Sequence, residues 1–344
     1  MKKQFLLITF LFLSFISCEK EDVGYIEEQG QSVELVFVAN EGKFGSSNGS
    51  ISVVGKNKII QTIENVGDVV QSLLVHNDKL FVSINNSHKI KIYDITANGL
   101  LLPGIEIDTN ASSPREMVVV NNKLYFTNWN TQDVKILNLF TYDFETPIKV
   151  NGLPESIVYN GENIFVGIMM NQDYSDASTV LKINPQTNNI VSNFEVGKGP
   201  TSLLVMDKEL LIARTYYDEN WNAFYGTSVV DITFDNVSSE SITIMNYGTG
   251  VVCGGSIHSF KNVPYLSYLG GIAKLEKDLT INEASLIGDT DNLNVYSVET
   301  IKDKLYIGTF DGYVKILSAD GIELNKYKVG DFPGDFEYWT NIKK

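Results

Sequence analysis

Residues Pro114 to Phe126 read P-R-E-M-V-V-V-N-N-K-L-Y-F: an apolar run, a polar turn, then a second apolar run. The same unit returns along the chain. Val70 to Val82 gives V-Q-S-L-L-V-H-N-D-K-L-F-V, Pro154 to Val166 gives P-E-S-I-V-Y-N-G-E-N-I-F-V, and Pro200 to Ile212 gives P-T-S-L-L-V-M-D-K-E-L-L-I. Gly254 to Leu266 and Val295 to Ile307 are two further copies. In all six the second run opens ten residues after the first, at Leu80, Leu124, Ile164, Leu210, Pro264 and Leu305. Leu35 opens a seventh second run, L-V-F-V-A-N, with no first run ahead of it.

A third run follows each second one and alternates in character. Lys89-Ile-Lys-Ile-Tyr93, Asp133-Val-Lys-Ile-Leu137, Thr179-Val-Leu-Lys-Ile183 and Tyr313-Val-Lys-Ile-Leu317 have the period of two expected of half-exposed strands. A more variable fourth strand comes next, as in Lys58 to Val66 or Asn189 to Val196. Four short strands in each repeat of about 45 residues make one blade of a β-propeller. An irregular β-sandwich is the competing all-β architecture, but sandwiches do not repeat in register.

The chain ends account for the missing first run. Val329 to Trp339 matches Val196 to Val205, with Pro333 on Pro200. The tail therefore supplies the inner strand of the blade that Leu35 begins, which closes the ring and removes free sheet edges. The expectation is an all-β protein of seven four-stranded antiparallel blades, with Phe336 beside Val36. Proline at position 264 is compatible with the start of a strand.

The N-terminus carries a different message. Lys2 and Lys3 precede an apolar run from Phe5 to Phe15, far shorter than the roughly 20 residues that span a bilayer. Residues 1–17 read as a signal peptide. Ser14-Phe15-Ile16-Ser17-Cys18 resembles the lipobox of bacterial lipoproteins, which implies that Cys18 becomes an acylated mature N-terminus. An ordinary signal peptide with an incidental cysteine is the alternative. At about 0.8 kcal/mol per buried methylene, three acyl chains would anchor firmly where one is marginal. Lys20-Glu21-Asp22 is similar to the tag that sends Bacteroidetes lipoproteins to the outer face of the outer membrane; a solvated charged tether would look the same. Residues 18–32 are then the lipidated cysteine and a flexible tether, and 33–344 the propeller.

The only other cysteine is Cys253, so no internal disulfide is available after processing. Of 27 basic and 42 acidic residues, Lys2 and Lys3 leave with the leader, so the mature chain carries 25 against 42, a net −17. That balance argues against nucleic acid as a partner and against strongly anionic ligands without a local basic patch.

The V-G-x-x-P unit with its flanking strands, closest at Val180 to Val205, resembles the YVTN-type propeller repeat. The Gly-His and Trp-Asp marks of WD40 repeats are not there. Asn40-Glu41-Gly42-Lys43-Phe44-Gly45-Ser46-Ser47-Asn48-Gly49-Ser50 resembles the opening of surface propeller lipoproteins of Bacteroidetes, a family with corrinoid-capturing members and a siderophore-capturing relative. The resemblance implies capture of a nutrient, a corrinoid (vitamin B12) first and a siderophore second, and its transfer to a TonB-dependent outer-membrane transporter.

The binding face follows from the propeller plan, in which loops entering the inner strand share a face with loops joining second to third strands. Three of the latter, Asn40–Gly49, Met169–Ser178 and Thr215–Thr227, exceed what a hairpin needs, and long loops on a rigid scaffold commonly carry binding. They and their neighbours hold Phe44, Trp129, Tyr174, Tyr217 and Trp221, candidates for stacking on a flat or amphipathic ligand. The second candidate set is a ring. One residue after each repeat's opening position lie Gln71, Arg115, Glu155, Thr201, Gly255, Tyr296 and Gly334, varied as a recognition ring would be. One residue further lie Ser72, Glu116, Ser156, Ser202, Ser256, Ser297 and Asp335, expected to hydrogen-bond neighbouring backbone. A water-filled channel without a ligand is the plain reading of the same ring.

Catalytic patterns are poor. His76, His88 and His258 differ in register, and no Ser-His-Asp set, zinc spacing or phosphate loop stands out. No enzyme and no cofactor are expected. The alternatives are a protein- or glycan-binding scaffold, or a channel-sited hydrolase with calcium held by Glu116, Glu155 and Asp335.

Overall fold

A computed structural model describes residues 32–233, 241–250, 255–288 and 294–342. The leader, Cys18, Lys20 to Asp22, nearly all of the tether and Cys253 lie outside the described residues. Val33–Lys344 forms one compact unit.

That unit is a seven-bladed β-propeller of antiparallel sheets. The inner strands of the second to fifth blades are Val70–His76, Pro114–Val120, Leu153–Tyr159 and Pro200–Met206. Ile257–Phe260 and Val295–Ile301 serve the sixth and seventh. The first blade is built from both chain ends: Pro333–Thr340 is its inner strand and pairs with Glu34–Asn40. Val38 faces Phe336 and Val36 faces Tyr338, and Val36, Val38 and Phe336 share one apolar cluster. The closure expected from the tail is therefore present, with Phe336 two residues along from the position opposite Val36.

Local chemistry explains why the strands turn where they do. The hairpins leaving the inner strands use two-residue loops, Asn77-Asp78, Asn121-Asn122 and Lys261-Asn262, with both φ angles positive. This is the type I′ turn, which matches strand twist and is tolerated best by asparagine and aspartate. The second strands enter the interior immediately after, and Leu80, Leu124, Ile164, Leu210 and Leu305 are completely buried between blades. Pro264 pairs with Ser259 on the inner strand, while the ladder to the third strand begins only at Tyr265; its missing N–H therefore costs no bond there.

The blades are not all alike. The second carries five strands, because the hairpin partner Gly99–Leu100 and the outer strand Ile105–Asp108 both pair with Lys89–Thr96. Along that third strand Ile90 and Ile92 are buried while Lys89 and Lys91 both pair with Glu106, the alternation read from the sequence.

One irregularity recurs and sets the site. On six of the seven inner strands the pairing slips by one residue just after the opening position, while Ile257–Phe260 of the sixth blade pairs without a slip. Gly334, Gln71, Thr201 and Tyr296 are each skipped by the ladder, and in the third and fourth blades two residues, Arg115-Glu116 and Glu155-Ser156, oppose the single residues Thr127 and Gly167. A β-bulge frees one residue from pairing and re-aims side chains around it. Here it presents the ring residues to the axis.

Candidate functional site

The bulges open into a cavity of about 620 Å³ at the mouth of the axial channel. All seven ring positions, Gln71, Arg115, Glu155, Thr201, Gly255, Tyr296 and Gly334, line it. Trp129 and Tyr217 reach it from second-to-third loops, as does Glu41. The two loop sets assigned to one face thus meet around one space.

Its centre is Arg115. Nε lies 3.0 Å and 3.2 Å from the two Glu155 oxygens, and Nη2 donates to Glu155 Oε1 at 2.5 Å. Nη1 donates to Gln71 Oε1 at 2.5 Å, and the guanidinium carbon stands 4.5 Å from the Trp129 ring centroid. Carboxylate, amide and indole together fix a planar cation, the geometry arginine satisfies and lysine does not. The cation is consequently neutralised in place.

Four other carboxylates line the same space: Glu41, Glu116, Glu299 and Asp335. Burial raises the Glu41 pKa, opposed by a hydrogen bond from Tyr296 and by the Arg115 charge. Burial also raises Glu116 well above the carboxylate range, helped by the charges of Asp335 and Glu155. Asp335 is pushed up to about 7, first by burial and against the pull of the Leu73 amide. Deeper in the channel Glu337 is raised to about 8, by burial and then by Asp335. Clustered acids removed from water cannot all ionise easily, so these groups hold their protons to higher pH than free carboxylates do.

The second register behaves largely as expected. Ser72 Oγ donates to the Arg115 carbonyl at 2.6 Å, Ser297 Oγ to the Pro333 carbonyl at 2.5 Å, and Asp335 accepts from the Leu73 amide at 2.6 Å. Ser202 Oγ accepts from the Ile257 amide at 3.3 Å. Each bond joins one blade to the next. Ser156 departs from the pattern, its Oγ buried without a partner, and Glu116 contributes its side chain to the acid cluster instead.

Sequence reasoning missed the polar ladder beneath the ring. His258, Glu299 and Glu337 occupy the fourth position after the opening residue, where the other blades carry Leu74, Val118, Val158 and Leu204. His258 Nε2 lies 3.1 Å from Ser267 Oγ and Nδ1 lies 3.4 Å from Glu299 Oε1. Serine, histidine and carboxylate in this order resemble a nucleophile triad, but Ser267 is fully buried, so no substrate carbon reaches its Oγ. Among the described residues no group of three or more His, Cys, Asp and Glu is arranged to hold a metal ion, and Glu155 is already engaged by Arg115.

The remaining candidates fall elsewhere. Tyr174 and Trp221 line a neighbouring pocket that Tyr217 also borders. Phe44, 77% exposed, lines neither space. Tyr296 packs with Phe310 and Phe332 at centroid distances of 5.1 Å and 5.5 Å, an aromatic cluster beside the mouth.

No known family signature matches the chain, and no curated protein is similar to it. Solved structures share its fold. A 6-phosphogluconolactonase candidate from Bacteroides uniformis superposes with a TM-score of 0.66 at 13% identity, over 89% of this chain and 99% of that one. A protein of unknown function from Desulfotomaculum acetoxidans gives 0.62 at 14%, over 88% and 98%. Apo AztD from Citrobacter koseri gives 0.55 at 12%, over 90% and 98%. Likeness at such low identity establishes the propeller fold alone.

Proposed function

We propose that this chain is a non-enzymatic ligand-capture propeller, lipid-anchored through Cys18 on the outer face of an outer membrane, that passes a nutrient to a TonB-dependent transporter. The observation that carries the reading is the mouth cavity: its volume of about 620 Å³ is within the ordinary range of ligand pockets, and every blade contributes its ring residue to the wall.

Charge selects the ligand class. The lining carries five carboxylates and one guanidinium, and that guanidinium is occupied by Glu155. A neutral or cationic amphipathic molecule is compatible with this wall, and a strongly anionic one meets repulsion without a free cation. A corrinoid, large and amphipathic with a neutral or cationic macrocycle, satisfies the requirement. The Asn40–Ser50 resemblance to corrinoid-capturing lipoproteins supports it, and Glu41 of that segment lines the cavity. A ferric catecholate siderophore is anionic and ranks second.

Equilibrium titration of the protein with cyanocobalamin tests the proposal. The expected result is saturable one-to-one binding, with no competition from a ferric catecholate. Absence of binding at micromolar protein removes the corrinoid version, and preferential binding of the ferric catecholate replaces it with the siderophore reading.

A further inference from the structure

A second pocket, of about 360 Å³, lies between the loop after Ile164–Met170 in the fourth blade and the loop after Glu209–Tyr217 in the fifth. Tyr174, Tyr217 and Trp221 supply its aromatic surface, and Lys198, Asp176, Asp218 and Glu219 its charged groups. We propose that this pocket, which adjoins the mouth cavity and shares Tyr217 with it, is a carbohydrate-binding site that stacks the C–H face of a neutral pyranose unit, a proposal that does not rest on the capture reading above.

Tyr174 and Trp221 are 65% and 72% exposed, a large aromatic surface left in water on two loops at once. Both hold left-handed backbone, with φ of 64° and 63°, a conformation bulky residues avoid. Most of each ring faces water, and backbone strain is often held at ligand clamps. Tyr217 and Trp221 stand 6.2 Å apart with ring planes inclined by 52°, an open corner and not a closed stack.

The loops are fixed before any ligand arrives. Asp218 accepts from the Asn220 and Asn222 amides at 2.9 Å and 2.8 Å, which shapes the turn carrying Trp221. Asp176 joins the two loops, accepting from the Tyr217 amide at 3.3 Å and pairing with Lys198 at 3.5 Å. Preorganisation of this kind lowers the ordering cost of binding.

The polar rim decides the ligand class. It offers donors in the Lys198 ammonium and the tyrosine hydroxyls, and acceptors in Glu219 and those same hydroxyls. A pyranose presents C–H groups on one face and hydroxyls that both donate and accept around its edge, so it can use aromatic faces and mixed charges together. A methylated ammonium ion could use the rings and carboxylates, but it would sit beside the Lys198 charge.

The test is titration calorimetry of the full mature chain with neutral hexasaccharides, namely maltohexaose, cellohexaose, xylohexaose and laminarihexaose, with tetramethylammonium as the cationic control. At least one sugar is expected to bind. W221A and Y174A should each weaken it about tenfold without changing thermal unfolding, because both side chains are exposed. Thr201→Trp, which obstructs the mouth cavity and does not touch this pocket, should leave sugar affinity unchanged. Failure of all four sugars to bind at millimolar concentration, binding unaffected by W221A and Y174A, or binding of tetramethylammonium alone would each overturn the proposal.

Discussion

Arg115 of the third blade and Glu155 of the fourth form a two-point ion pair across the blade boundary, with Nε and Nη2 both directed at one carboxylate. The pair sits among further acids, and Glu116 and Glu41 also bear on the guanidinium. Removing one partner is therefore not equivalent to removing the other.

Replacing Arg115 by Met leaves the Glu155 carboxylate without its cation, whereas replacing Glu155 by Gln keeps an amide acceptor facing the guanidinium, on which Glu116 and Glu41 also bear. R115M is expected to cost about 3 kcal/mol and E155Q about 1 kcal/mol. Urea unfolding of the two variants at neutral pH measures the difference. Equal costs would mean that the surrounding acids do not act on Arg115.

The channel acids make stability fall with rising pH. Asp335 and Glu337 titrate near 7 and 8 in the folded protein, against about 4 in an unfolded chain. Between those values the folded state holds more protons, so unfolding free energy declines as pH rises through this window and levels off above the folded-state values. The double variant D335N/E337Q keeps side-chain acceptors and loses the titration. It should match the parent near pH 4 and exceed it in stability at pH 8, as read from denaturation midpoints at both values. A parent-like slope in the variant would refute the assignment.

Closure of the ring can be weighed at Trp339. It is buried on the C-terminal strand, and its Nε1 donates to Asp78 Oδ1 at 2.8 Å in the hairpin of the second blade. W339A should cost about 3–5 kcal/mol, and W339F only about 1 kcal/mol for the lost hydrogen bond. Thermal unfolding followed by circular dichroism separates them. Near-equal stability of W339A and the parent would show that the tail contributes little to closure.

Much of this architecture was legible in residue order. Ten-residue spacing from opening residue to second strand located the blades, and the match of Val329–Trp339 to Val196–Val205 placed the tail. The ring of Gln71, Arg115, Glu155, Thr201, Gly255, Tyr296 and Gly334 could be listed because repeats align. What presents it could not, because a bulge adds one unpaired residue without a change of composition. Contacts between blades were equally hidden: His258, Ser267 and Glu299 sit on two blades and no spacing links them. Nor could exposed aromatics be sorted, since Trp129, which stacks on Arg115, and Trp221, which faces water, both read as tryptophan in a loop. The His258, Glu299 and Glu337 ladder was present in the aligned copies, at the position where other blades carry Leu74, Val118, Val158 and Leu204.

The most direct test of the mouth cavity as the capture site is to fill it. Thr201 lines the cavity, and among the described residues its hydroxyl makes two long hydrogen bonds, to the Ala213 and Gly255 carbonyls at 3.2 Å and 3.4 Å. Thr201→Trp should therefore fold while obstructing part of the space. Titrated with cyanocobalamin beside the parent protein, it should lose at least about a hundredfold in affinity, the equivalent of roughly 3 kcal/mol. Equal affinity in the filled variant and the parent would contradict the account.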